Sequence, residues 1–127
     1  MSAFTLFQDG VYQWVKACFG ETTARSKKER NFRFLEEALE LVQSTGCTKD
    51  EAHMLVDYVF GRPVGDTSQE VGGVMVTLAA LCSANDVRME ECGYKELARI
   101  WSQSAIDRVR SKFNNQEPNS PLPGKED

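Results

Sequence analysis

The hydrophobic and polar positions divide most of the chain into segments with helical character. Three four-residue motifs match the capping box, in which a hydroxyl and a carboxylate satisfy backbone donors at the start of a helix. They are Ser26-Lys-Lys-Glu29, Thr48-Lys-Asp-Glu51 and Thr67-Ser-Gln-Glu70. The pattern predicts five helices, near residues 4–18, 27–45, 49–60, 68–85 and 88–113. No segment alternates as a strand does, so we predict an all-α fold, a helical bundle.

The fourth predicted helix differs from the others because residues 71–84 are apolar on every face. A helix of this kind is surrounded by other helices, at the centre of a bundle or at an oligomer interface. Gly72 and Gly73 each cost about 1 kcal/mol relative to alanine inside a helix. They indicate a close approach by a neighbouring helix or a ligand. We therefore predict a homo-oligomer, a dimer or a tetramer, that assembles through this helix.

The last residues of the chain differ in composition from the rest. From Asn114 onward the sequence is polar and holds three of the four prolines. Such a segment cannot bury enough apolar surface to offset the entropy lost on ordering. We predict one domain over residues 1–113 and a disordered tail over 114–127.

Composition excludes several classes of protein. The net charge of −4 disfavours general binding of a nucleic-acid polymer, and the single histidine, His53, excludes zinc sites that need two. The longest apolar run is shorter than the roughly 20 residues that span a bilayer. The first residues do not have the pattern of a signal peptide. We expect a soluble, cytoplasmic protein without a membrane segment.

The second predicted helix carries a pair of carboxylates. Glu37 and Glu40 are three residues apart, so their side chains project from the same face. Two carboxylates held side by side repel each other and suit a hard divalent cation. Arg30 and Arg33 continue the same spacing, and a solvated ladder of ion pairs explains the pattern equally well. Both interpretations remain open at this point.

The sequence Glu36-Glu37-Ala-Leu-Glu40, with Glu70 opening the later apolar helix, resembles a known superfamily. These are the all-α nucleoside triphosphate pyrophosphohydrolases, the MazG-like and dimeric-dUTPase-like enzymes, whose motif is EExxE followed by ExxD. The resemblance covers residues from about 5 to 110, including Cys18-Phe-Gly20 and residues 29–34. It implies a Mg²⁺-dependent enzyme, with Mn²⁺ as the other cation, that converts a (d)NTP and water to a (d)NMP and pyrophosphate.

The same resemblance implies roles for the motif residues. Glu37, Glu40 and Glu70 would be metal ligands, and Glu36 would orient or deprotonate the attacking water. The motif's aspartate is replaced by Gly73. Asp57 is the candidate for the missing ligand, because a charge in the apolar run 55–60 needs an ion or a partner. A buried salt bridge, or a place at the polar edge of an amphipathic helix, explains this aspartate as well.

The change at Gly73 leaves other classes of function open. One is a catalytically impaired nucleotide-binding or regulatory homologue that has kept the fold. Another is a purely structural helical module, in which the acidic ladder and the apolar helix serve only an oligomer interface.

The predicted substrate-binding residues are basic, amide and aromatic side chains. They are Arg30, Arg33, Asn31, Lys28, Trp14 and Asn85. Arginine suits phosphate because its guanidinium donates two parallel hydrogen bonds. For Trp14, stacking on a base and packing in the core are both open.

Overall fold

Every regular element in the described part of the chain is an α-helix. The structure, a computed structural model, describes residues 1–115 and 120–123. The helices are α1 (Ala3–Ala24), α2 (Lys27–Ser44), α3 (Lys49–Phe60), α4 (Thr67–Ala84), α5 (Met89–Ile100) and α6 (Gln103–Asn114). The predicted all-α class is confirmed, with six helices in place of five. None of these helices is long and apolar enough to cross a membrane.

The additional helix comes from a break in the segment predicted as one helix over 88–113. Ser102 has an extended backbone, and its hydroxyl accepts a hydrogen bond from the backbone N–H of Ala105 at 3.2 Å. A serine in this role ends one helix and begins the next. Helix α1, in contrast, is longer than predicted, since it continues past its predicted end at residue 18. Gly20 permits this continuation as a kink, with φ 83° inside the element.

The helix caps agree with the sequence prediction at one of three positions. At Thr48 the full capping box forms: the hydroxyl accepts from the Glu51 N–H at 3.2 Å, and the Glu51 carboxylate accepts from the Thr48 N–H at 2.8 Å. The box predicted at Thr67 is wrong, because Asp66 is the N-cap and accepts from the Gln69 N–H at 3.0 Å. At Ser26 only the hydroxyl takes part, accepting from the backbone of Glu29.

The chain divides into two compact units within α2 and again within α5. We call residues 1–36 together with those from 93 onward the terminal unit, and residues 37–92 the central unit. Every buried residue in the described part of the chain belongs to the terminal unit. These residues are Val15, Cys18, Ala24, Glu29, Ala105, Ile106 and Phe113.

The core of the terminal unit lies along α1, which packs against α6. The ring of Phe113 in α6 lies 4.9 Å from that of Phe19, which meets Trp14 edge-on at 6.0 Å. The indole Nε1 of Trp14 donates to the carbonyl of Ile100 at 2.8 Å, which joins α1 to the end of α5. Trp14 therefore takes the packing position that its sequence context allowed.

The central unit has no buried residue across 37–92, all of which the structure describes. Phe60 is 86% exposed and Val76 is 69% exposed. A Cβ added at Gly72 or Gly73 would meet nothing within 4 Å. Among the residues that the structure describes, none makes the expected close approach to these glycines.

Part of the predicted tail is described. Helix α6 continues to Asn114, one residue beyond the predicted domain boundary. The carbonyl of Pro123 accepts a hydrogen bond from Arg33 Nη2 at 3.1 Å. Pro123 therefore contacts the first half of α2. The prediction for 116–119 and 124–127 lies outside the described residues.

Candidate functional site

The acidic residues of α2 occupy one continuous helix, as their spacing requires. Glu37 and Glu40 are exposed, and Glu36 is partly covered. At about 100° per residue, positions 37 and 40 project from neighbouring points on the helix surface. Both side chains of this pair are exposed to solvent.

Glu70 lies in the first turn of α4, where its carboxylate folds back over the preceding loop. A Cβ added at Gly65 would come within 2.6 Å of Glu70 Oε1, so the glycine leaves the space that this carboxylate occupies. Glu70 itself is exposed. Its side chain is not the partner of Thr67 that the sequence predicted.

Asp57 does not have the buried environment expected from its apolar neighbours. It lies on α3 and is exposed, and the flanking Val56 and Tyr58 are exposed as well. A solvated carboxylate does not need a partner, so the exposure of Asp57 is compatible with a place at the polar edge of an amphipathic helix. Asp57 remains a candidate metal ligand only because its side chain is a carboxylate.

Within residues 1–115 and 120–123, no three His, Cys, Asp or Glu side chains lie close enough together to hold a metal ion. The predicted ligands Glu37, Glu40, Glu70 and Asp57 are therefore not assembled as a cation site by one chain. Their carboxylate oxygens are the donors that Mg²⁺ prefers, so the donor type fits. A second chain, the substrate or water can supply further ligands.

A different cluster is assembled, at the start of α2. Glu29 is only 4% exposed. One oxygen of its carboxylate accepts from Arg33 Nε at 2.8 Å and lies 3.5 Å from Arg30 Nη2. A carboxylate removed from water needs such partners, and in return it restricts the positions of both guanidinium groups. We call Glu29, Arg30 and Arg33 the arginine clamp.

The sequence analysis missed the role of Glu29. It assigned the residue to a capping box with Ser26, whereas the carboxylate turns toward Arg33, four residues further along the helix. The i,i+4 spacing of an acid and an arginine was the available signal. Its burial depends on the packing of the terminal unit, which the local sequence does not contain.

Arg30 is held from a second side. Its guanidinium lies 5.6 Å from the centre of the Phe19 ring, within the range of a cation–π interaction. Burial lowers the pKa of Arg30 from its ordinary value, and the charge of Glu29 opposes this shift. The side chain remains a cation at neutral pH, because arginine begins from so high a pKa.

The remaining predicted substrate residues lie in several places. Asn31 is exposed on α2, and Lys28 lines a cavity of about 60 Å³ with Ser26 and Phe113 among the other lining residues. In the central unit Asn85 caps α4, where its side-chain amide donates to the carbonyl of Leu81 at 2.9 Å. Of the six predicted substrate residues, the structure brings Arg30 and Arg33 together as a pair.

Cys18 carries no site. It is buried in α1, and this burial raises the pKa of the Cys18 thiol while Arg110 opposes the shift. A thiol with a raised pKa is a weak nucleophile at neutral pH.

Comparisons of the chain with protein-family models, with curated proteins and with solved structures found no match.

Proposed function

We propose that this chain is a Mg²⁺-dependent nucleotide pyrophosphohydrolase that acts as a homo-oligomer. The reaction is hydrolysis of a (d)NTP to a (d)NMP and pyrophosphate. The observation that carries the proposal is the arginine clamp: a buried carboxylate holds two arginines in place at the start of a helix that also bears Glu36, Glu37 and Glu40.

The clamp suits phosphate recognition. Glu29 takes the Nε–H of Arg33. The terminal nitrogens of that guanidinium can contact phosphate oxygens, although Nη2 donates to the carbonyl of Pro123 in the structure. A guanidinium fixed before the ligand arrives loses less entropy on binding. Arg30 and Arg33 are the phosphate-binding residues in this proposal, with Lys28 and Asn31 as exposed neighbours on the same helix.

The carboxylates have the second role. Glu37, Glu40 and Glu70 are the proposed Mg²⁺ ligands, with Asp57 as the further acid in place of the residue replaced by Gly73. When bound, the cation neutralises phosphate charge and lowers the pKa of a water molecule. Glu36 is the residue that orients or deprotonates the attacking water. This set of roles corresponds to the family that the motif resembles.

Assembly follows from the exposed surface of the central unit. Large apolar side chains of α3 and α4 are exposed, among them Met54, Tyr58, Phe60 and Val76. Extended apolar surfaces of this kind mark interaction sites in soluble proteins. A second copy of the chain packed on α4 would cover them, and the oligomer is a homodimer or a homotetramer.

The decisive experiment is a panel of NTPs and dNTPs incubated with Mg²⁺ or Mn²⁺ and assayed for pyrophosphate. We expect release from at least one nucleotide, and its loss in Glu37→Gln. Glu91→Gln is the matched control, an exposed acid of the central unit outside α2. Failure of every nucleotide with both metals would remove the enzyme assignment.

Metal binding is tested separately from turnover. Mg²⁺ or Mn²⁺ should raise the melting temperature of the wild type, because a ligand that binds only the folded state stabilises it. Glu37→Gln or Glu40→Gln should abolish that gain. A solvated ladder of ion pairs predicts the opposite: no metal effect, and a loss of about 0.2–0.5 kcal/mol per pair on substitution.

The second candidate function is nucleotide binding without catalysis, and the residue that favours it is Gly73. The site has room for a side chain, since a Cβ there meets nothing within 4 Å. Gly73→Asp should raise metal affinity if the predicted site forms around this position. Gly73→Ala is the control, because it contributes the gain in helix propensity of about 1 kcal/mol without a ligand.

A further inference from the structure

The segment 120–123 occupies the arginine clamp. The carbonyl of Pro123 accepts from Arg33 Nη2 at 3.1 Å. Pro123 also lines the cavity of about 60 Å³, together with Phe113 and Lys28. Leu122 and Pro123 are partly covered, whereas Pro121 is exposed. The segment thus touches both the guanidinium of Arg33 and a small cavity whose lining is mixed polar and apolar.

Residues 120–123 lose little conformational entropy when they bind to Arg33. The backbone N–H of Leu122 donates to the hydroxyl of Ser120 at 3.2 Å, which closes a local turn. Pro121 and Pro123 each have a restricted φ, so the unbound segment has fewer conformations to lose.

The contact with Arg33 imitates a phosphate contact. A peptide carbonyl oxygen and a phosphate oxygen accept the same N–H groups of a guanidinium, but the phosphate is charged and accepts more strongly. Glu29 already takes the Nε–H of Arg33, and Pro123 takes one N–H of Nη2. A phosphate that binds Arg33 through Nη2 competes directly with the carbonyl of Pro123.

We propose that residues 120–123 are an internal ligand of Arg33 that must leave before a phosphate group binds there. The identification of the competitor as a nucleotide phosphate rests on the proposed function. The competition itself requires only an anion. If the segment is docked about nine-tenths of the time, it weakens the apparent affinity about tenfold, in proportion to the undocked fraction.

The test uses the full-length chain and inorganic pyrophosphate as the probe. In one variant, Pro121→Gly, Leu122→Gly and Pro123→Gly are combined, which keeps the length and removes the local restriction. Calorimetry should show pyrophosphate binding this variant about tenfold more tightly than the wild type. Adding Arg33→Gln should remove the difference. Arg25→Gln should preserve it, because Arg25 pairs with Glu21 at 3.6 Å on the open surface.

A second readout follows the segment without any ligand. In nuclear magnetic resonance spectra, the amide signals of Ser120 and Leu122 should move to the positions of an unstructured peptide in Arg33→Gln but not in Arg25→Gln. Pyrophosphate should produce the same movement in the wild type. Unmoved signals would overturn the inference.

Equal pyrophosphate affinity of the wild type and the glycine variant would also overturn it, as would undetectable binding to both chains. These outcomes are separate from the nucleotide panel. A chain that hydrolyses no nucleotide can still show competition at Arg33, and an active enzyme can lack it.

Discussion

The terminal and central units differ in what covers their apolar side chains. All the buried residues of the described chain lie in the terminal unit, where α1 packs against α6. The central unit is rich in apolar residues and buries none of them across 37–92. Apolar content alone therefore does not make a core, because a second apolar surface is needed to exclude water.

Charge separates the two units further. Residues 37–92 hold ten Asp and Glu against three Lys and Arg, whereas the rest of the chain holds nine against twelve. Two central units brought together by their apolar faces would therefore repel each other electrostatically. Divalent cations bound by the carboxylates would reduce this repulsion. Metal binding and assembly are thus expected to favour each other.

The largest expected effect contrasts one phenylalanine from each unit. Phe113→Ala should cost about 3–5 kcal/mol of unfolding free energy, because the ring is buried against Phe19. Phe60→Ala should cost less than about 0.5 kcal/mol in a monomer, since Phe60 is 86% exposed. In an oligomer the cost at Phe60 should grow and depend on protein concentration.

Urea unfolding at two protein concentrations measures both substitutions. The contrast fails if Phe60→Ala matches the loss at Phe113 at every concentration, because the central unit would then have a core of its own.

The second prediction places a charge on the proposed interface. Val76→Glu should shift light-scattering mass from the oligomer to the monomer, with a dissociation constant about 100-fold higher for a cost of about 3 kcal/mol. Leu6→Glu is the matched control in the terminal unit, where Leu6 is 57% exposed. A wild type that is monomeric at micromolar concentration, or equal dissociation by both variants, would reject assembly through α4.

Local signals in the sequence predicted the fold well where one residue had no competitor. The capping box at Thr48 sets the start of α3, and its bounds, residues 49 to 60, are those predicted. At the start of α4, Asp66 and Thr67 are both good caps, and the structure has Asp66 in this role. The kink at Gly20 and the break at Ser102 were not predicted, although each lies at a residue type, glycine and serine, that permits it.

In the candidate site, too, local geometry was predictable from the sequence and burial was not. The juxtaposition of Glu37 and Glu40 was predictable because it follows from helix geometry alone. The burial of Glu29 was not, because it depends on packing in the terminal unit rather than on the four-residue motif. The exposure of Asp57 shows the converse: an apolar neighbourhood in sequence gives no burial when the neighbours themselves are exposed.

The third prediction tests whether the arginine clamp gives the terminal unit stability as well as function. Glu29→Gln should cost about 2 kcal/mol, because the shape is kept while charge-assisted hydrogen bonds to Arg33 and Arg30 are lost. Pyrophosphate affinity should fall with it, since the guanidinium groups are no longer fixed. Glu21→Gln is the control, an exposed pair with Arg25 that is worth under about 1 kcal/mol. Equal effects of the two substitutions would show that burial of Glu29 is energetically irrelevant.

The smallest expected effect belongs to the central unit and concerns pH. Hydrogen bonding from the backbone N–H of Thr48 lowers the pKa of the Glu51 carboxyl below its ordinary value of 4.5, and contact with the Thr48 side chain acts in the same direction. A group with a lowered folded-state pKa contributes stability that is present above the ordinary value and is lost as pH falls through the folded value. The difference in stability between the wild type and Glu51→Gln should thus be constant near neutral pH and shrink below about pH 4.5. Asp50→Asn, in the same turn of α3, should retain this dependence. A difference that stays constant from neutral to acidic pH would show that the capping box does not hold in solution, and that the central unit lacks even this local source of stability outside the oligomer.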